Sequence, residues 1–172
     1  MKATNSQRLL LRVSLSAVVL LLRFASAAIA AEETNSPPLS DYIRPLVGTQ
    51  GEGNTYPGPM APFGMVQPGP DTCSEKFCGY DHADPMIYGF SMTHLSGTGW
   101  WDLGDFLFMP GFGKPQFDPG TPQEPRSGYQ SAISHQEETA SAGYYKVKLQ
   151  DYNTWVELTA SDRAVRHGSA GA

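Results

Sequence analysis

The stretch Y-K-V-K-L-Q-D-Y-N-T-W-V-E-L-T, residues 145–159, decides the fold class. Tyr145, Val147 and Leu149 alternate with Lys146 and Lys148, and Val156 and Leu158 alternate with Glu157 and Thr159. A period of two puts each apolar set on one face of an extended chain. Asp151-Tyr152-Asn153 separates the two runs, and Asn and Asp are residues that tight turns accept. The stretch therefore predicts an antiparallel hairpin with one face buried.

Working outward, Ile87 to Thr93 (I-Y-G-F-S-M-T) is rich in β-formers, and Asp105 to Met109 (D-F-L-F-M) reads as a short buried run. Pro62 to Thr72 reads as a strand between two proline-rich corners, with no catalytic group of its own. From Tyr42 onward Gly and Pro punctuate the chain, which holds 18 and 14 of them in its 172 residues, and no window carries apolar residues at helical spacing over three turns. Short strands joined by Gly/Pro loops predict an all-β fold, an antiparallel β-sandwich.

The N-terminus has a different character. Lys2, Arg8 and Arg12 precede an apolar run from Val13 to Leu22, and Ala28-Ile29-Ala30 offers an A-x-A cleavage pattern. Residues 1–30 are thus expected to be a secretory signal peptide, with 31–40 a polar linker. The apolar run is shorter than the roughly 20 residues a spanning helix needs, and no later segment is apolar enough to cross a membrane. The expected location is exported, periplasmic or secreted, with no membrane contact after cleavage. Cleavage would remove four cations and no acids from a chain already at −5. Such an acidic chain excludes nucleic acid as its partner, because phosphate backbones attract Lys and Arg. In an oxidising compartment Cys73 and Cys78 suit a small disulfide loop, with two thiols the alternative. Tyr80-Asp81-His82 beside them does not complete a zinc site.

Chemistry concentrates in H-L-S-G-T-G-W-W-D-L-G-D, residues 94–105. His94, Ser96 and Asp102 have the residue types of a hydrolase triad, but Ser96 sits in no G-x-S-x-G elbow. Asp102 and Asp105 lack the alternating ligands and terminal Glu of an EF-hand. Gly48 to Gly58 has no G-K-[ST] and is read as structural turns. If the chain is extended at Trp100-Trp101, one indole faces out while the other enters a core. An outward indole beside a carboxylate suits a sugar, its ring covering the C–H face while the acid accepts hydroxyl hydrogens. Taken alone, however, the pair reads as core.

Five segments change that balance: 41–58, 62–72, 78–80, 88–99 with D-L-G-D behind it, and 134–147. Together they resemble the N-terminal domain of glycoside hydrolase family 92, the exo-acting α-mannosidases, over residues 41–167. The resemblance implies a two-domain enzyme, an N-terminal β-sandwich followed by a helical (α/α)6 barrel. It implies a calcium-dependent inverting mechanism on α-mannoside glycans, N-glycan or mannan. Inversion uses two carboxylic groups about 6.5–9.5 Å apart; in the family both, with most calcium contacts, belong to the barrel. The sandwich lends a loop to the shared pocket, here His94, Trp100, Trp101 and Asp102 as substrate-binding residues.

The resemblance fades after His167, where G-S-A-G-A, residues 168–172, replaces the aromatic strand of the family. The chain is accordingly expected to be a partial sandwich without the barrel, holding no calcium and inactive alone. The alternatives are a stand-alone carbohydrate-binding β-sandwich module and a structural β-domain that touches no sugar.

Overall fold

The computed structural model describes residues 36–72, 77–97, 100, 103–121, 123–124 and 127–171. The expected signal peptide, residues 1–30, lies outside them. The chain divides into Met1–Pro38 and Leu39–Ala172, and every described strand belongs to the second unit. Among the described residues the only helical elements are two 3₁₀ turns, Leu39–Tyr42 and His135–Glu137, and no helix is long and apolar enough to cross a membrane.

Among the described residues eight strands follow in order: β1 (Gly69–Asp71), β2 (Met86–Ile87), β3 (Gly89–Ser91), β4 (Ser131–Ala132), β5 (Glu138–Ser141), β6 (Tyr144–Leu149), β7 (Thr154–Ala160) and β8 (Val165–Gly171). All pairings are antiparallel, in sheets ordered β1-β3, β2-β4 and β5-β6-β7-β8. The fold is all-β, an antiparallel sandwich. The hairpin predicted at 145–159 is β6–β7, in register from Tyr144↔Thr159 to Leu149↔Thr154. Its turn holds Asn153 at φ 46°, a left-handed conformation that Asn tolerates better than branched residues do.

Period-two patterning does what it predicts. Tyr145, Val147, Leu149, Val156 and Leu158 are buried, and they pack with Ile87 of β2, Phe90 of β3 and Ile133 just after β4. Removing each such side chain from water contributes about 1.5–3 kcal/mol. The other face carries Lys146 opposite Glu157, 3.0 Å apart, and Lys146 again lies 4.6 Å from the centre of the Trp155 ring. Asp151 of the turn accepts the Ala132 N–H at 2.8 Å, while its own N–H donates to Ser131 Oγ at 3.1 Å. These two bonds fasten the hairpin to β4.

Two expected strands differ in detail. Ile87 to Thr93 divides at Tyr88: β2 pairs with β4, whereas β3 pairs with β1. The run Asp105 to Met109 is not buried. Phe106 and Phe108 are 76% and 55% exposed, and a single bridge, Phe90↔Phe108, ties the run to β3. Phe106 stands at φ 57°, and Leu103 just before the run at 70°, so the segment cannot alternate as a strand does. The tail Gly168–Gly171 continues β8, pairing with Glu157 down to Thr154. Cys78 is buried with its thiol near the carbonyls of Tyr80 and Thr55, while Cys73 lies outside the described residues.

Candidate functional site

The loop that follows β3 is gripped at its base. Met92 N–H donates to Asp105 O at 3.0 Å, Gly104 N–H to Thr93 O at 2.8 Å, and Asp105 N–H to Thr93 Oγ1 at 2.9 Å. On its rising side Gly97 N–H donates to Asn54 O at 2.6 Å, which joins the loop to the glycine-rich turns before it. From this base the chain presents Trp100 with 75% of its surface exposed. That corrects the packing interpretation of this indole. Trp101 and Asp102 lie outside the described residues.

His94 lies beneath the loop, 3% exposed. Its Nδ1–H donates to Gln67 O at 2.9 Å, and Nε2 lies 3.2 Å from both Asp71 Oδ1 and Ser91 Oγ. Asp71 also accepts the Ser91 N–H and hydroxyl. Tyr56 stacks on the imidazole with ring centres 4.5 Å apart, and burial pushes its phenol pKa upward. The antiparallel pairing Gly69↔Ser91 and Asp71↔Gly89 brings these groups together. Two glycines make room: a Cβ on Gly69 would come within 2.6 Å of Tyr56, and one on Gly79, at φ 78°, within 2.8 Å of Asp71 Oδ1. Serine, histidine and aspartate meet here, but not as a relay. A triad sets its carboxylate on the nitrogen opposite the serine, whereas here both share Nε2 and Nδ1 goes to a carbonyl. The arrangement braces the loop. Sequence reading passed over Asp71, because its partner comes from a strand 20 residues away.

A second polar cluster joins Tyr80, His82, His135, Glu138 and Tyr145. Glu138 opens β5 with its side chain 1% exposed. Its Oε1 accepts from the hydroxyls of Tyr80 at 2.8 Å and Tyr145 at 2.7 Å; its Oε2 lies 2.6 Å from His135 Nδ1 and 3.7 Å from His82 Nδ1. Burial first, and the Glu138 charge second, push both phenol pKa values upward, which keeps them donors. Tyr80-Asp81-His82 does not complete a metal site by its own spacing, because Glu138 joins it from 58 residues beyond Tyr80, with His135 alongside. With two imidazoles and one carboxylate it does not suit calcium, which takes six to eight oxygens.

Beyond the loop the surface is apolar. Trp100, Phe106, Phe112 and Phe117 are each at least 71% exposed. A cavity of about 510 Å³ opens at Phe112 and Phe117, lined also by Leu107, Tyr129 and the polar Lys114 and Gln116. Large exposed apolar side chains are thus gathered within one segment and the loop before it.

Comparison with known proteins agrees with this architecture. Residues 42–167 match the Glycosyl hydrolase family 92 N-terminal domain. A family GH92 α-mannosidase from Bacteroides thetaiotaomicron, solved in complex with mannoimidazole, superposes with a TM-score of 0.76 at 46% identity, over 78% of this chain and 18% of that one. A family GH92 inverting mannosidase from the same organism gives 0.61 at 25% identity, over 80% and 19%. An uncharacterized secreted glycosidase of Arthroderma benhamiae is 30% identical over 131 residues, 72% of this chain and 16% of its own length. The chain thus spans less than a fifth of these relatives.

Proposed function

The chain belongs to glycosyl hydrolase family 92, and on that premise we propose that it is the pocket-lending sandwich of an exported α-mannosidase. The exposed Trp100, held out on a loop with a braced base, carries this reading. Its indole covers the apolar face of an α-mannoside, with Trp101 and Asp102 completing the sandwich's side of the pocket and His94 holding the loop from beneath. The two carboxylates of an inverting hydrolysis, and the oxygen ligands for calcium, come from a second domain that packs on the apolar surface from Leu103 to Phe117. Export follows from the N-terminal pattern and is in keeping with the secreted relative.

Half a pocket binds weakly. Titrating the chain with an α-mannoside is expected to change tryptophan fluorescence with a Kd of about 1 mM, roughly −4 kcal/mol, and Trp100→Ala removes the change. No change at all, or one that survives Trp100→Ala, overturns the contact. Mannose released by the chain with calcium present would overturn the placement of catalysis elsewhere.

The pairing of the tail into β8 favours a second reading, a self-sufficient carbohydrate-binding module. A Kd near 1 μM for the chain alone, roughly −8 kcal/mol, would select it.

A further inference from the structure

Glu138, His82 and His135 do more than satisfy one another. The two imidazoles stand with ring centres 3.9 Å apart over one edge of a buried carboxylate, and their side chains remain 32% and 33% open to solvent. Donor atoms of all three residues lie within 4.8 Å of one another. The 3₁₀ turn His135–Glu137, capped by Ser134, sets His135 and Glu138 on the same side because residues three apart eclipse in that helix. Tyr80 and Tyr145 take up Oε1, so Oε2 is the oxygen that faces the imidazoles.

We propose that His82, His135 and Glu138 form a binding site for a divalent transition-metal ion, zinc foremost, with water as the fourth ligand from the exposed side. Two nitrogens and one carboxylate oxygen with an open position is an established zinc donor set. Zinc bonds of about 2.0–2.2 Å require ligand atoms roughly 3.3–3.6 Å apart in a tetrahedron. The observed 2.6 Å and 3.7 Å separations from Oε2 bracket that spacing, so small side-chain rotations suffice. In the empty cluster His135 Nδ1–H donates to Oε2 and His82 Nδ1–H to the Tyr80 hydroxyl, 3.1 Å away; binding an ion moves each proton to Nε2 and turns the Nδ1 lone pair to the metal. The phenols act as outer-shell donors, orienting the carboxylate while it binds the ion. Filled, the site would join the Tyr80–His82 turn to the start of β5. It is independent of the mannosidase reading, since neither Trp100 nor the apolar surface takes part.

The test uses the full chain after chelator treatment. Cobalt(II) is added while its visible d–d bands are followed, and zinc is then titrated in competition. One ion per chain, with tetrahedral bands that zinc abolishes and excess calcium leaves in place, is the expected result. His82→Ala and His135→Ala, both at partly exposed positions, each weaken zinc at least tenfold, while Tyr145→Phe weakens it about tenfold as loss of an outer-shell partner does. His167→Ala, as a control, binds like the parent chain. Should the alanine variants unfold, imidazole resonances of the parent chain decide: two of the four histidines shift on zinc addition, and the same two shift in His167→Ala. Absence of one-to-one binding, displacement by calcium, unchanged affinity in folded His82→Ala and His135→Ala, or shifts elsewhere would each overturn the site.

Discussion

The β6–β7 hairpin and the segment from Leu103 to Phe117 hold similar residues and treat them in opposite ways. In the hairpin Tyr145, Val147, Leu149, Val156 and Leu158 are at most 1% exposed; in the segment Phe106, Phe112 and Phe117 are 71–90% exposed. Composition does not separate them, but backbone does. Six consecutive register pairs hold β6 on β7, so every second side chain returns to the same layer. The segment has one bridge to β3 and two bulky residues at positive φ, and no regular face results. Apolar residues become core where a period is enforced, and stay exposed where it is not.

Paired substitutions can break this contrast. Leu149→Ala should cost about 2–5 kcal/mol through lost burial and the cavity left behind, whereas Phe112→Ala should stay within about 0.5 kcal/mol; urea unfolding of both variants measures the difference. Equal losses would mean that the segment is packed in solution. Next in size, Gly79→Ala places a methyl against Asp71 at positive φ and should lower stability by about 1–3 kcal/mol. Gly111→Ala meets nothing within 4 Å and should be neutral. A neutral Gly79→Ala would show that the bracing beneath the loop yields easily.

The smallest effect belongs to β8. His167 lies edge-on to Phe90, ring centres 5.9 Å apart, and desolvation lowers its pKa from the ordinary 6.5. The unfolded chain then binds more protons than the folded one between those two pKa values, so stability falls as pH drops below about 6.5. Melting temperatures across that range should show a shallow slope that His167→Gln removes. An unchanged slope would assign it to other groups.

What the sequence disclosed follows the same division. The hairpin was legible because alternation needs no partner to be recognised. Asp105 to Met109 was misread because an apolar run does not encode φ, and Phe106 breaks it from within, with Leu103 just ahead of it. Ile87 to Thr93 was half legible: its β-formers were plain, but nothing local marks Tyr88 as the point where one sheet ends and another begins. The loop at 94–105 stood out through its indoles, while its brace at Asp71 and the Glu138 cluster depended on contacts that only the folded chain brings together.

The stapling of the hairpin turn to β4 has a consequence in time. A hairpin with a short turn closes in about 1–10 μs, and β6–β7 needs no distant residue to do so. Strand β2 must find β4 across the whole Gly- and Pro-rich stretch between them, and closing longer loops costs more chain entropy. Asp151 gives the early hairpin two ready bonds for Ser131 and Ala132 when they arrive. The face of Ile87 and Phe90 is therefore expected to be covered last, as the loop-bearing half arrives on a sheet already built.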